Sequence, residues 1–157
     1  MSAADLVALC TARGVTVTCA ESCTGGMVSA AITDIAGSSA IFERGFVTYS
    51  NTAKTEMLLV APTTLDAHGA VSEEVAAEMS SGARAAARAS IAVAITGIAG
   101  PGGSEFKPEG RVCFGVIGPN TALRTETVEF GALGRAKVRE AARDHALRLL
   151  LRAAQAA

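Results

Sequence analysis

The sequence predicts an α/β fold: a three-layer α/β/α sandwich around a mixed, mostly parallel sheet, in a single domain. Three observations carry this. Apolar periodicity switches between helical and extended segments in the order α-β-α-β-α-α-β-β-β-α. Helical segments separate the early strands, as parallel crossovers require, whereas the last two strands meet at a tight turn and read as an antiparallel hairpin. The chain's 157 residues, 50% of them hydrophobic, suffice for one domain with a substantial core. Because only 4% are aromatic, that core is expected to come from Val, Ile, Leu and Ala, with helices packed closely on small side chains.

The elements follow in order. Ala3 to Ala12 places Leu6, Val7, Leu9 and Cys10 at helical spacing, and Gly14 ends it. Val15-Thr16-Val17-Thr18 is β-branched and reads as the first strand. A turn through Gly25-Gly26 leads into a helix from Met27 to about Ile35, then a turn at Ala36-Gly37-Ser38-Ser39. Phe42 to Tyr49 reads as the second strand. Ser50 or Asn51 then caps a helix carrying Ala53, Lys54, Met57 and Leu58, which Pro62 is expected to stop, and Thr64 to Gly69 forms a short helical turn. Ser72 caps the strongest helix, with Glu73 and Glu74 in its first turn and Val75, Met79 and Ala83 on one face. Ala89 to Thr96 is an apolar run suited to a buried strand. A Gly- and Pro-rich loop from Gly97 to Gly110 follows, too long for a simple connection. Arg111–Gly118 and Ala122–Phe130 form the hairpin, and the last helix runs from about Gly134 to Ala154 with Val138, Ala142, His145 and Leu149 on a shared face. No internal repeat or long linker divides the chain, so one domain over residues 1–157 is expected.

Composition excludes several function classes. The net charge is -1 with acids and bases mixed, so no basic stripe marks a general nucleic-acid surface. Cys10, Cys19, Cys23, Cys113, His68 and His145 lack zinc-ligand spacing, and no metal site is expected. Three residues separate Cys19 from Cys23, so they form no CxxC pair, and all four thiols are expected to be reduced. No apolar run is long enough for a membrane span, and the N-terminus lacks a signal-peptide pattern. A cytoplasmic protein with no membrane partner is expected, one that needs no cofactor.

The chemistry is expected between Val15 and Met27, VTVTCAESCTGGM. A strand turning sharply into a helix leaves free N–H groups at the sheet edge, and the positive end of the helix dipole favours a developing oxyanion. Ser22 sits at that turn and could be a nucleophile; alternatively Ser22 or Thr24 caps the helix. Cys23 is a rival nucleophile, since a helix N-terminus lowers a thiol pKa. A serine nucleophile needs a base. His68 in a turn and His145 in the last helix are poor candidates, whereas Lys54 is the only lysine of the first 100 residues and follows the only tyrosine, Tyr49. Desolvation lets a lysine serve as base, although the ordinary place for Lys54 is a solvated helix face and for Tyr49 a half-buried strand. The Tyr49 to Lys54 interval is not YxxxK, and neither GxGxxG nor GK[ST] follows a strand, which argues against a nicotinamide dehydrogenase and a Walker loop. The glycines of Gly97-Ile98-Ala99-Gly100-Pro101-Gly102-Gly103 suit close approach to a phosphate or ribose, or simply a tight turn. Arg135, Lys137 and Arg139 open the last helix as the nearest basic group, either a phosphate contact or a solvated face.

Four segments, AESCTGG at residues 20–26, ITDIAGSSAIFERGFVTYSNTAK at 32–54, HGAVSEEV at 68–75 and ITGIAGPGG at 95–103, together resemble the CinA C-terminal domain family. The resemblance runs from about Leu6 to Leu150 and is closest to the stand-alone nicotinamide-nucleotide amidohydrolases of that family. It implies hydrolysis of the carboxamide of nicotinamide mononucleotide to nicotinate mononucleotide and ammonia, without a metal. It further implies Ser22 as nucleophile with Tyr49 and Lys54 assisting. Substrate contacts would come from Glu21, Cys23, Thr24, Gly25 and Gly26 on one side and Thr96, Gly97, Gly100 and Gly102 on the other. Arg135 or Arg139 is expected near the phosphate, where relatives carry Gly-Asp-Arg and this chain has Leu133-Gly134-Arg135. The pyrophosphatase-type domain of longer relatives is not expected here. Family habit implies a homo-oligomer, a dimer or higher. The alternative is a catalytically silent nucleotide-binding module.

Overall fold

The computed structural model describes residues 3–104 and 106–157. In chain order the elements are α1 (Ala3–Arg13), β1 (Val17–Glu21), α2 (Met27–Thr33), a 3-10 turn (Ser38–Ala40), β2 (Phe46–Val47), α3 (Asn51–Leu58), α4 (Pro62–His68), α5 (Glu73–Ala87), β3 (Ile91–Gly97), β4 (Arg111–Gly118), β5 (Thr121–Glu129) and α6 (Arg135–Ala156). They build one five-stranded sheet in the order β2-β1-β3-β4-β5. β2 and β3 run parallel to β1, β4 opposes β3, and β5 opposes β4, so four of the five strands point the same way. The predicted mixed α/β sandwich is therefore observed.

Strand alternation sorts the core into two layers. Val17, Cys19, Ile91, Val93 and Ile95 pack with buried side chains of α1, α2 and α6. Ala20, Ala92 and Ala94 pack with Leu58 of α3, Leu65 of α4 and Val75, Met79 and Ala83 of α5. The second layer is thin because its strand residues are small. At Gly115 of β4, an added Cβ would lie 2.5 Å from the Ala76 carbonyl oxygen of α5. The alanine-rich composition thus translates directly into close helix–sheet approach.

Local differences from the sequence expectation have physical causes. The first strand runs from Val17 to Glu21, not from Val15 to Thr18, because its register with β3 (Val17 opposite Ile91, Glu21 opposite Ile95) fixes the bounds. Sheet pairing here overrides the low strand preference of Ala20 and Glu21. The second strand shrinks to Phe46–Val47 plus one bridge from Phe42 to Val17. Between them the Thr18 hydroxyl donates to the Arg44 carbonyl (2.7 Å), a side-chain bond replacing the ladder. Pro62 does not stop α3. Leu59, left-handed at φ 60°, does so, and Pro62 instead opens α4, where its missing N–H leaves no bond unmade. Ser72 caps α5 as expected, its hydroxyl accepting from the Val75 N–H at 3.2 Å.

Candidate active site

β1 is an interior strand, between β2 and β3, so whatever follows it stands at the carboxyl edge of the parallel strands. The Ser22 N–H donates to the Ile95 carbonyl (3.0 Å), fastening the turn to β3. The preceding Glu21 is fully buried, and its carboxylate accepts from the N–H groups of Val28 (2.9 Å) and Ser29 (3.0 Å) and from the Ser29 hydroxyl (2.8 Å). The chain's own carboxylate therefore occupies the positive end of α2, where the sequence suggested an oxyanion. Glu21 faces this helix and not the cleft. The helix cap is Gly26, at φ 107° and with no side-chain cap bond, so neither Ser22 nor Thr24 caps α2. The Gly25 N–H is used by the Ser22 carbonyl (3.0 Å). The backbone N–H of Thr24 has no hydrogen-bond partner among the described residues, and that of Cys23 faces only its own sulfur.

The Ser22 hydroxyl meets a lysine. Ser50 caps α3 by accepting from the Ala53 N–H (3.0 Å), which sets the helix so that Lys54 in its first turn points inward. Lys54 is only 1% exposed, and its Nζ donates to Ser22 Oγ (2.9 Å) and to the Thr48 carbonyl (2.8 Å). No carboxylate pairs with it among the described residues. Burial lowers its pKa from 10.5 to about 8, with neighbouring Cys23 pulling weakly the other way. At pH 7 about a tenth of Lys54 is then neutral, and in that form Nζ, 2.9 Å from Ser22 Oγ, is able to accept the hydroxyl proton. Cys23 behaves in the opposite sense. Burial pushes its thiol up to about 12, against the pull of Lys54 and Arg139, so the helix terminus does not activate it.

Ser22, Cys23, Tyr49 and Lys54 form one wall of a cleft of about 360 Å³. Thr96 and the glycine loop through Ser104 form the other, and Arg135 stands at the mouth. The Thr96 hydroxyl is already committed to the Ala70 carbonyl (2.8 Å). Tyr49 is 61% exposed. Its hydroxyl accepts from Arg135 Nη2 (2.8 Å), while Arg135 Nη1 donates to the Gly100 carbonyl (2.6 Å). Tyr49 therefore makes no hydrogen bond to Ser22 or Lys54. Lys54 and Arg135 are the cations of the cleft, and no carboxylate lines it among the described residues.

Of the sequence-predicted residues, Ser22, Cys23, Tyr49, Lys54, Thr96, Gly97, Gly100, Gly102 and Arg135 line this cleft; Glu21, Thr24, Gly25, Gly26 and Arg139 do not. Arg139 instead braces the turn from behind, donating to the carbonyls of Cys23 (3.0 Å) and Thr24 (3.2 Å). Sequence reasoning missed Thr48, whose carbonyl holds Lys54, and the two residues that fasten the glycine loop. Lys107 Nζ donates to the carbonyls of His68 (2.7 Å) and Val71 (2.5 Å), and the Glu109 carboxylate accepts from Gly102 and Gly134. In the sequence both belong to Lys107-Pro108-Glu109-Gly110, which carries only a turn signal. His68 lies beside Glu74 (3.7 Å), and His145 packs on Phe114 and contacts Glu126 (2.5 Å); neither lines the cleft. No group of three or more His, Cys, Asp or Glu side chains suited to a metal ion occurs among the described residues. None of the helices described is long and apolar enough to cross a membrane.

The sequence model of the CinA C-terminal domain matches residues 1–154. Nicotinamide-nucleotide amidohydrolase PncC from Enterobacter agglomerans is 58% identical over 120 residues, covering 76% of this chain and 73% of that protein. The PncC of Escherichia coli is 68% identical over 104 residues, 66% of this chain and 63% of that protein. A CinA-like protein from Chlorobaculum tepidum is 51% identical over 121 residues, 75% of this chain but only 29% of its own length. The match therefore spans less than two thirds of the Escherichia coli relative and under a third of the longer one. Among solved structures, the competence/damage-inducible protein CihA from Agrobacterium tumefaciens superposes with a TM-score of 0.88 at 43% identity, covering 97% of each chain. A CinA superfamily protein from Klebsiella pneumoniae superposes with a TM-score of 0.92 at 36% identity, covering 98% of this chain and 95% of that one.

Proposed function

The chain belongs to the CinA C-terminal domain family, and on that premise we propose that it is a nicotinamide-nucleotide amidohydrolase. The reaction is hydrolysis of the carboxamide of nicotinamide mononucleotide to nicotinate mononucleotide and ammonia, without a metal. The observation that carries the reading is the 2.9 Å contact between Ser22 Oγ and the buried Nζ of Lys54. Relatives 58% and 68% identical bear the name of this activity.

In its neutral form Lys54 takes the Ser22 proton as Oγ attacks the carboxamide carbon. The Thr24 N–H, unclaimed by other described residues, receives the developing oxyanion together with the Cys23 N–H, which turns from its own sulfur, and Arg139 holds the carbonyls of the same two residues in place. The Lys54 ammonium then protonates the leaving nitrogen and ammonia departs. Water, deprotonated by the same lysine, cleaves the acyl-serine ester to release the acid and restore the hydroxyl. Tyr49 assists from the rim, as the acceptor that holds Arg135, and Arg135 offers its fork to the substrate phosphate. A cleft of about 360 Å³ lies within the size range of small-molecule sites, and Arg135, with no lining carboxylate among the described residues, suits a monophosphate.

Ammonia release from nicotinamide mononucleotide, measured with and without chelator, tests this reading. Equal release in both supports it. Tight binding of the nucleotide with no ammonia would instead identify a silent nucleotide-binding module.

A further inference from the structure

The glycine loop and α6 come from distant parts of the chain, yet Arg135 works only if they hold a fixed relation. One carboxylate joins them. Glu109 Oε1 accepts from the Gly102 N–H at 2.7 Å, and Oε2 accepts from the Gly134 N–H at 3.1 Å. Gly134 is the residue before α6, immediately ahead of Arg135. Arg135 in turn reaches back to the loop at Gly100 (2.6 Å) and across to Tyr49 (2.8 Å). The result is a closed circuit from Glu109 to Gly102, along the loop to Gly100, across to Arg135, and back through Gly134. The loop also lies tightly on this side chain, since a Cβ at Gly100 would sit 2.6 Å from Glu109 Cδ. Glu109 itself is not among the cleft-lining residues, so its action on a ligand passes through others.

We propose that Glu109 is a positioning residue that sets where Arg135 stands at the cleft mouth and thereby governs nucleotide affinity and not the chemical step. This rests on the amidohydrolase reading above. A carboxylate can accept from two N–H groups at once. The isosteric amide in Glu109→Gln retains one acceptor and turns a donor toward the other N–H, so one end of the clamp must open. Ser22, in the turn after β1, and Lys54, on α3, are untouched by that change.

The test is a cycle of wild type, Glu109→Gln, Arg135→Ala and the double variant, read by steady-state ammonia release from nicotinamide mononucleotide. Glu109→Gln is expected to raise KM about 5- to 10-fold with kcat within about 2-fold and an unaltered pH profile. The double variant should be no worse than Arg135→Ala alone, because both act through one guanidinium. Strictly additive losses, or a fall in kcat at constant KM, would overturn the assignment. A second readout separates failure of this proposal from failure of the amidohydrolase reading. Backbone amide exchange at Gly102 or at Gly134, whichever end opens, should speed up in Glu109→Gln whether or not the nucleotide is a substrate. Unchanged exchange at both would overturn the clamp, whereas faster exchange in a chain that releases no ammonia would leave the clamp standing and remove only the substrate.

Discussion

Among the described residues no carboxylate pairs with the buried Lys54, and that isolation is what makes it useful. A neighbouring carboxylate would restore its ordinary pKa and leave Ser22 facing a permanent ammonium. Two predictions belong at this scale. Cys23→Ala should keep turnover within about 3-fold of wild type, and thiol alkylation of the native chain should leave ammonia release intact, since the buried thiol stays protonated. Loss of activity on alkylation, prevented by prior substrate, would revive the cysteine nucleophile. Tyr49→Phe removes only the acceptor for Arg135, so KM should rise several-fold with kcat little changed. A collapse in kcat of about a hundredfold or more would mean that the phenol carries a proton in the reaction after all. The roles of these residues were unevenly legible in the sequence. Ser22 and Lys54 stood out by residue type, place and scarcity, but the burial of Lys54 was not readable, because it depends on how α3 seats its first turn against the end of β1. Cys23 was misread because its burial, which raises the thiol, has no local signal, and the helix terminus because Glu21, one residue from Ser22, consumes α2 N–H groups, and no local pattern announces where a carboxylate will point.

At the scale of elements, α2 depends on that carboxylate. Glu21→Gln should cost about 1–3 kcal/mol in urea unfolding, because one of its three donors, buried or half-buried, loses its acceptor and the helix loses a charge at its positive end. A change below about 0.3 kcal/mol would show that water substitutes there without loss. The seat of α3 depends on a glycine. A Cβ at Gly82 of α5 would lie 2.0 Å from the Leu58 carbonyl oxygen at the end of α3, so Gly82→Ala must push the two helices apart. Destabilisation of about 2 kcal/mol or more is expected, with a fall in kcat because α3 carries Lys54. Element types were largely legible, from Ser72 at the α5 cap to the hairpin of β4 and β5. Element boundaries were not, where the partner decided them: β1 is bounded by β3, and β2 is cut short by the Thr18 hydroxyl.

For the whole molecule, two sets of buried groups act against each other as pH rises. The folded pKa of Lys54, about 8, lies below its ordinary 10.5, so the unfolded chain binds more protons and stability increases with pH between those values. Cys10 and Cys23 have folded values of about 11 and about 12, above the ordinary 9.0. Their contribution is full below pH 9 and is lost as pH climbs through the folded values. Subtracting the urea midpoints of Lys54→Met/Cys23→Ala from those of Cys23→Ala cancels the remaining thiols, and the difference should move in favour of the chain that keeps Lys54 from pH 8 to 10.5. A flat difference would mean that Lys54 keeps its ordinary pKa in the fold. The same arrangement of small residues, thin layers and one buried lysine links stability to chemistry, since the burial that strips Lys54 of its proton also penalises folding below pH 8.

The most direct measurement is the pH dependence of kcat/KM for ammonia release from nicotinamide mononucleotide, in wild type, Ser22→Ala and Lys54→Ala. Wild type should rise about tenfold per pH unit below 7 and level off above a midpoint near 8, with neither variant showing turnover above background. A profile flat from pH 6 to 9, or a Ser22→Ala variant that keeps wild-type turnover, would contradict the serine–lysine pair.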